Sequence, residues 1–93
     1  MITMDFERHC KITERLFGIR YEQVHLWLDE FAKNYSGSSR YKHRKFRHHK
    51  EGVEEARKLF GDIGALTAEL HIRLDNEGWL PRKKDYELPE YDD

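Results

Sequence analysis

A chain of 93 residues is one small domain by length. Its hydrophobic and charged fractions are both 38%, against the ~45–50% and ~25% of ordinary globular domains, so the core is thin and needs a metal, a dimer contact or good helix packing to hold it. The net charge of −1 with recurring apolar residues argues against disorder, the lone Cys10 excludes an intramolecular disulfide, and no run reaches the ~20 apolar residues of a membrane span. The first seven residues carry neither the basic region nor the apolar run of a signal peptide, so a cytoplasmic protein is expected.

No stretch alternates apolar and polar residues long enough for a strand, and Gly and Ser breaks at Gly18, Ser36 to Ser39, Gly61 and Gly78 leave four stretches of helical length. The first runs from Asp5 to Phe17 with Ile2, Phe6, His9, Thr13 and Leu16 as its stripe, and Gly18 stops it. The second runs from Tyr21 to Tyr35 with Tyr21, Val24, Leu28, Phe31 and Tyr35 on one side. The third runs from Arg40 to Phe60, capped by Ser38 or Ser39, with Phe46, His49, Val53, Ala56 and Phe60 as its stripe. Gly52 inside it marks close packing or a weak spot. The fourth runs from Ile63 to Glu77, capped by Asp62, with Ile63, Leu66, Leu70 and Leu74 inward. Trp79 and Leu80 are expected to fold back on the core before Pro81. The expected fold is all-α: a four-helix array of two helical hairpins spanning residues 1–86, with 87–93 as an acidic tail.

A phrase recurs. His25-Leu26-Trp27-Leu28-Asp29 returns as His71-Ile72-Arg73-Leu74-Asp75, each preceded by a basic-Leu-Phe-Gly stop at residues 15–18 and 58–61. A true repeat would relate the hairpins by a pseudo-two-fold axis, although the spacing from Gly to His differs between the copies. In each copy His and Asp stand one helical turn apart and point the same way.

Helical geometry at about 100° per residue puts His9 and His49 near the centres of their stripes and His25 and His71 at the edges, with Asp29 and Asp75 ~40° further out. Each expected helix therefore sends one imidazole into or beside the core. Buried imidazoles need partners, and a divalent metal (Zn, Mn, Fe or Ni) held by His9, His25, Asp29, His49, His71 and Asp75 satisfies several at once. The blander alternative is a set of boundary histidines making local pairs. Glu22 and His25 also fit the Glu-x-x-His unit of di-iron bundles, but only one such unit is present. On an unbroken helix His43 and His48 diverge from His49 by roughly 120° and 100° and are expected outside.

The basic run Arg40, Lys42, His43, Arg44, Lys45, Arg47, His48 and Lys50, interleaved with Tyr41 and Phe46, offers a second site type: a surface for nucleic acid or an acidic partner. The acids that follow at Glu51, Glu54 and Glu55, and the five acids between Asp85 and Asp93, favour a solvated or self-neutralised face instead. The same residues carry a resemblance. His43-Arg44, His48-His49, Gly52, Phe60-Gly61, His71, Asp75, Gly78, Pro81 and Asp85-Tyr86, with His25 to Asp29 upstream, resemble the signature of a family of small His-rich proteins of unknown function. Lys42 replaces an expected Arg, Gly78 is shifted by one residue, and Tyr86 stands where Trp is commoner. The resemblance implies a shared fold and polar set, draws in His43 and His48, and implies no activity.

Three functions remain at this level. One is a metal-binding domain, with a metal-dependent hydrolase as the enzyme it would make; the His-Asp dipeptide of metal phosphohydrolases and a clear nucleophile are both missing. The second is a binding module built on residues 40–50. The third is an accessory homodimer whose histidines serve packing alone.

Overall fold

The computed structural model describes residues 4–89, and among them every regular element is helical. The α-helices are α1 (Met4–Phe17), α2 (Glu22–Leu28), α3 (Arg44–Arg47) and α4 (Lys50–Asp75), with 3-10 turns at Glu30–Asn34, Gly37–His43 and Lys83–Tyr86. Ile2 and residues 90–93 of the expected tail lie outside the described residues. No described helix is long and apolar enough to cross a membrane.

The boundaries differ from the sequence expectation in three places. The second helix ends at Leu28, and the chain continues as 3-10 turns through His43. The helix expected over 40–60 is broken at His48 and His49, where His49 is extended (φ −157°, ψ 173°). The expected loop between the third and fourth helices shrinks to Gly61 alone, whose φ of 81° and ψ of −173° lie in a region essentially restricted to glycine, so α4 is kinked there. Tyr21 relieves the kink: its hydroxyl donates to the Phe60 carbonyl at 2.6 Å. Tyr21→Phe is expected to cost about 1 kcal/mol in a denaturant melt. An unchanged midpoint would show that solvent serves that carbonyl equally well.

The core is small. Val24 and Leu28 of α2 pack against Val53, Ala56, Ala65, Ala68 and Ile72 from both arms of α4, with Tyr21, Trp27, Phe60 and Leu80 around them. Small residues on α4 let α2 approach closely. For this reason Ile63 and Leu66, expected to face inward, are exposed, and Ala65, Ala68 and Ile72 face inward instead. Leu80 packs on the core as expected, whereas Trp79 stays exposed.

After α4 the chain returns over that helix's N-terminus. Lys50 N–H donates to the Pro81 carbonyl at 2.8 Å, Lys83 N–H to Glu51, and the Tyr86 hydroxyl to the His48 carbonyl at 2.8 Å. The His48–His49 turn is thus clamped. Gly52 is part of the same clamp: a Cβ there would stand 1.9 Å from the Arg47 carbonyl oxygen. Of the two meanings its sequence position left open, close packing is the correct one. Gly52→Ala is expected to cost about 1–3 kcal/mol by overpacking, read as a lowered Tm.

Candidate metal centre

The helical clamp and the α2–α4 contact bring six polar side chains to one place. Asp29 ends α2 and Asp75 ends α4. His71 lies one turn before Asp75, and His48 and His43 come from the two sides of α3. His9 arrives from α1. His48 and His71 are fully buried, and His9 and His43 nearly so.

The contacts converge on four atoms. Asp29 Oδ1 lies 3.3 Å from His48 Nε2 and 3.4 Å from His71 Nε2. Asp75 Oδ2 lies 3.4 Å and 3.3 Å from the same two nitrogens. His43 Nε2 stands 3.1 Å from Asp29 Oδ1, and His9 Nε2 3.5 Å from Asp75 Oδ1. Despite these distances, neither His48 Nε2 nor His71 Nε2 meets hydrogen-bond geometry with either carboxylate.

The outer hydrogen bonds decide which ring nitrogens carry protons. Thr13 Oγ1 donates its one hydrogen to the His9 carbonyl at 2.8 Å, so it accepts from His25 Nε2 at 2.8 Å. Neutral His25 then has a lone pair on Nδ1, which accepts from His71 Nδ1–H at 2.8 Å, and His9 Nδ1 is a second neighbour of that same His71 nitrogen at 3.2 Å. His43 Nδ1 donates to the Arg40 carbonyl at 2.6 Å. Both His71 and His43 are therefore held with Nδ1–H directed outward and Nε2 directed at the carboxylates. That is the orientation of a metal-ligating imidazole, whose other N–H goes to a neighbouring acceptor.

Charge follows the same layout. Burial raises the pKa of Asp29, but His43, His48 and His71 outweigh it and hold the carboxyl far below its usual range. Asp75 is likewise raised by burial and lowered further by His48 and His71. Burial lowers His71, yet Asp29 and Asp75 carry it up to about 9. His25 is pushed down to about 3 by burial, with His71 and His9 adding to it. Two anions face a pocket that calls for positive charge.

Of the residues singled out in the sequence, His9, His25, Asp29, His71 and Asp75 gather here, with His25 one layer behind His71. His49 does not join them. Its Nδ1 accepts from Gly52 N–H at 2.9 Å as the cap of α4, and its Nε2 donates to the Phe46 carbonyl at 3.1 Å, so both nitrogens are engaged. His43 and His48, expected outside, point inward because the chain breaks between α3 and α4. The basic run is not one face. Arg47 donates to Glu30 and to the Trp27 carbonyl and stacks on the Trp27 and Phe31 rings. Lys50 is exposed at the start of α4, Lys42 and Lys45 are half-buried, and Arg40 and Arg44 line a cavity beside the carboxylates.

The only cysteine is buried in α1, where burial raises its pKa, and among the described residues it belongs to none of the clusters suited to a metal. Those clusters are His9 with His25 and His71, Asp29 with His43 and His48, and His48 with His71 and Asp75. A family model described as a domain of unknown function (DUF6915) matches residues 4–89. No curated protein and no solved structure matches the chain.

Proposed function

The chain belongs to the DUF6915 family, and we propose that it is a metal-binding domain that holds one divalent ion on His48, His71 and Asp75, with Asp29 within reach of the same two nitrogens. The carrying observation is the pair of buried Nε2 atoms on His48 and His71 that face two carboxylates without a hydrogen bond. Ligand atoms ~2.0–2.2 Å from one tetrahedral ion lie ~3.3–3.6 Å from one another. His48 Nε2 and His71 Nε2 stand 3.4 and 3.3 Å from Asp75 Oδ2, within that range, and 3.3 and 3.4 Å from Asp29 Oδ1, although no cluster within 4.8 Å among the described residues holds both aspartates. His43 is the natural fifth ligand, and His9, His25 and Thr13 orient the others. A mixed imidazole–carboxylate set without thiolate suits Zn, Mn, Fe or Ni.

A bound divalent ion supplies Lewis acidity and lowers the pKa of a coordinated water, which is the chemistry of a metal-dependent hydrolase. Asp29 and Asp75 also border the adjoining cavity, so the centre has a side that a small molecule can reach. A domain with a thin core also gains stability from such an ion. Elemental analysis of protein purified without a His tag tests the proposal. Close to one equivalent of metal is expected, with a rise in Tm when Zn²⁺, Mn²⁺ or Ni²⁺ is added to stripped protein. Metal far below one equivalent together with an unmoved Tm would remove it.

A further inference from the structure

The cavity that adjoins the carboxylates has a volume of about 190 Å³ and is lined by His9, Asp29, Arg40, Tyr41, His43, Arg44 and Asp75. One water needs only ~10–15 Å³ of such space, so there is room for a group of several heavy atoms. Asp29 and Asp75 of the proposed metal centre line it, together with Arg40 and Arg44. Arg47, three residues on, is tied to Glu30. Arg40 and Arg44 instead form no ion pair with a described carboxylate, and Arg44 Nε is buried without a hydrogen-bond partner.

From this we infer that the cavity is an anion site for a phosphate group, free or as a phosphate monoester, bound between the metal ion and the forks of Arg40 and Arg44. The inference rests on the metal-centre proposal. A divalent ion cancels Asp29 and Asp75, leaving Arg40 and Arg44 as two positive charges that no described carboxylate pairs with. A dianion matches them. A planar guanidinium offers paired N–H donors to two oxygens of a phosphate, which a monovalent carboxylate uses less fully at two arginines and a metal together. Without the metal the two aspartates would repel the same anion, so ion and anion bind in order. Arg40 and Tyr41 are exposed at the rim, which leaves the outer side open to the remainder of an ester.

Calorimetry on the full chain tests this in two stages. The stripped protein is first titrated with Zn²⁺ in phosphate-free buffer. The zinc-loaded protein is then titrated with inorganic phosphate, phenyl phosphate or acetate at fixed ionic strength. Phosphate binding that is at least tenfold tighter than acetate binding is expected, and it should be absent from stripped protein. Stronger binding of phenyl phosphate than of phosphate assigns the site to esters, and the reverse order assigns it to the free ion; either order supports the site. The double variant Arg40→Gln, Arg44→Gln should keep its zinc and lose phosphate affinity at least tenfold, while Arg57→Gln, on the outside of α4, should change neither. Zinc uptake without phosphate binding, or phosphate binding that survives the double substitution, overturns this inference and leaves the metal centre standing. Failure to take up zinc overturns both.

Discussion

Asp75→Asn is expected to abolish tight zinc binding and to destabilise the metal-free protein as well. Asp75 gives Oδ2 to the gap between His48 and His71 and Oδ1 to His9. Substituting a group that only orients a ligand costs ~10–100-fold in metal affinity, so losing this carboxylate should cost at least the upper end of that range. In the metal-free state the carboxylate is what compensates the charge of His71 in a buried setting. Removing one member of a buried pair costs about 3–5 kcal/mol, and Asp75 retains 18% side-chain exposure, so the lower end applies. Chelator competition and denaturant melts measure the two effects separately. His49→Ala is the contrast: it removes the cap of α4 and should lower stability by about 1 kcal/mol with metal stoichiometry intact. Zinc affinity unchanged in the Asp75 variant, or lost in the His49 variant, would show that the metal sits elsewhere.

Zinc is expected to raise Tm more at pH 8 than at pH 6. In the metal-free protein the aspartates, acting against burial, raise His71 to about 9, so its imidazolium stands in for the cation below that pH. A group raised on folding contributes stability that is complete below its unfolded pKa, about 6.5, and that disappears as pH climbs through about 9. His25 acts in the opposite sense. It is depressed to about 3, mainly by burial, so its contribution is present above about 6.5 and is lost as pH falls towards 3. The carboxylates, depressed further, add an acid loss below about pH 4. Metal-free stability therefore peaks near pH 6.5 and declines towards 9. The metal must displace the His71 proton, so its affinity falls about tenfold for each pH unit below 9, or about 2.7 kcal/mol between pH 8 and 6. For a domain of this size that is on the order of 10 °C in the zinc-induced shift. An equal shift at both pH values would mean that His71 gives up no proton to the metal.

Much of this molecule can be read from its residues taken in order. The all-helical class follows from apolar spacing and the scarcity of strand patterns. Gly18 and Gly61 adopt left-handed φ values of 82° and 81° at the two Phe-Gly stops the sequence marks. The His-x-x-x-Asp phrases direct attention to four residues that meet in space, because an i, i+4 pair keeps its facing wherever its helix packs. Yet the two copies take different roles: His71 and Asp75 both face the centre, whereas in the first copy only Asp29 does and His25 buttresses His71 from behind. Identical local spacing does not reveal which member faces inward, since that depends on the depth and tilt of each helix against α4.

The misplacement of His43, His48 and His49 has one cause. Angles counted along an unbroken helix assume that no residue leaves helical φ and ψ, and both His48 (ψ 58°) and His49 (ψ 173°) leave them. This two-residue break turns His48 inward and makes His49 a cap. A local cue existed in Gly52, three residues after His49, because Arg47 presses its carbonyl against the space a Cβ would fill. The resemblance motif, which includes His43 and His48, pointed the same way. The chain by itself thus determined the all-helical class, the glycines at which helical geometry breaks and the stock of imidazole and carboxylate groups, all of which depend on neighbours within a few residues. The convergence of Asp29, His48, His71 and Asp75, and the arginine-lined cavity beside them, were decided only when the clamp from Pro81 to Tyr86 and the packing of α2 on α4 brought distant backbone together, because a coordination sphere is a property of distances across the fold and no spacing along the chain encodes it.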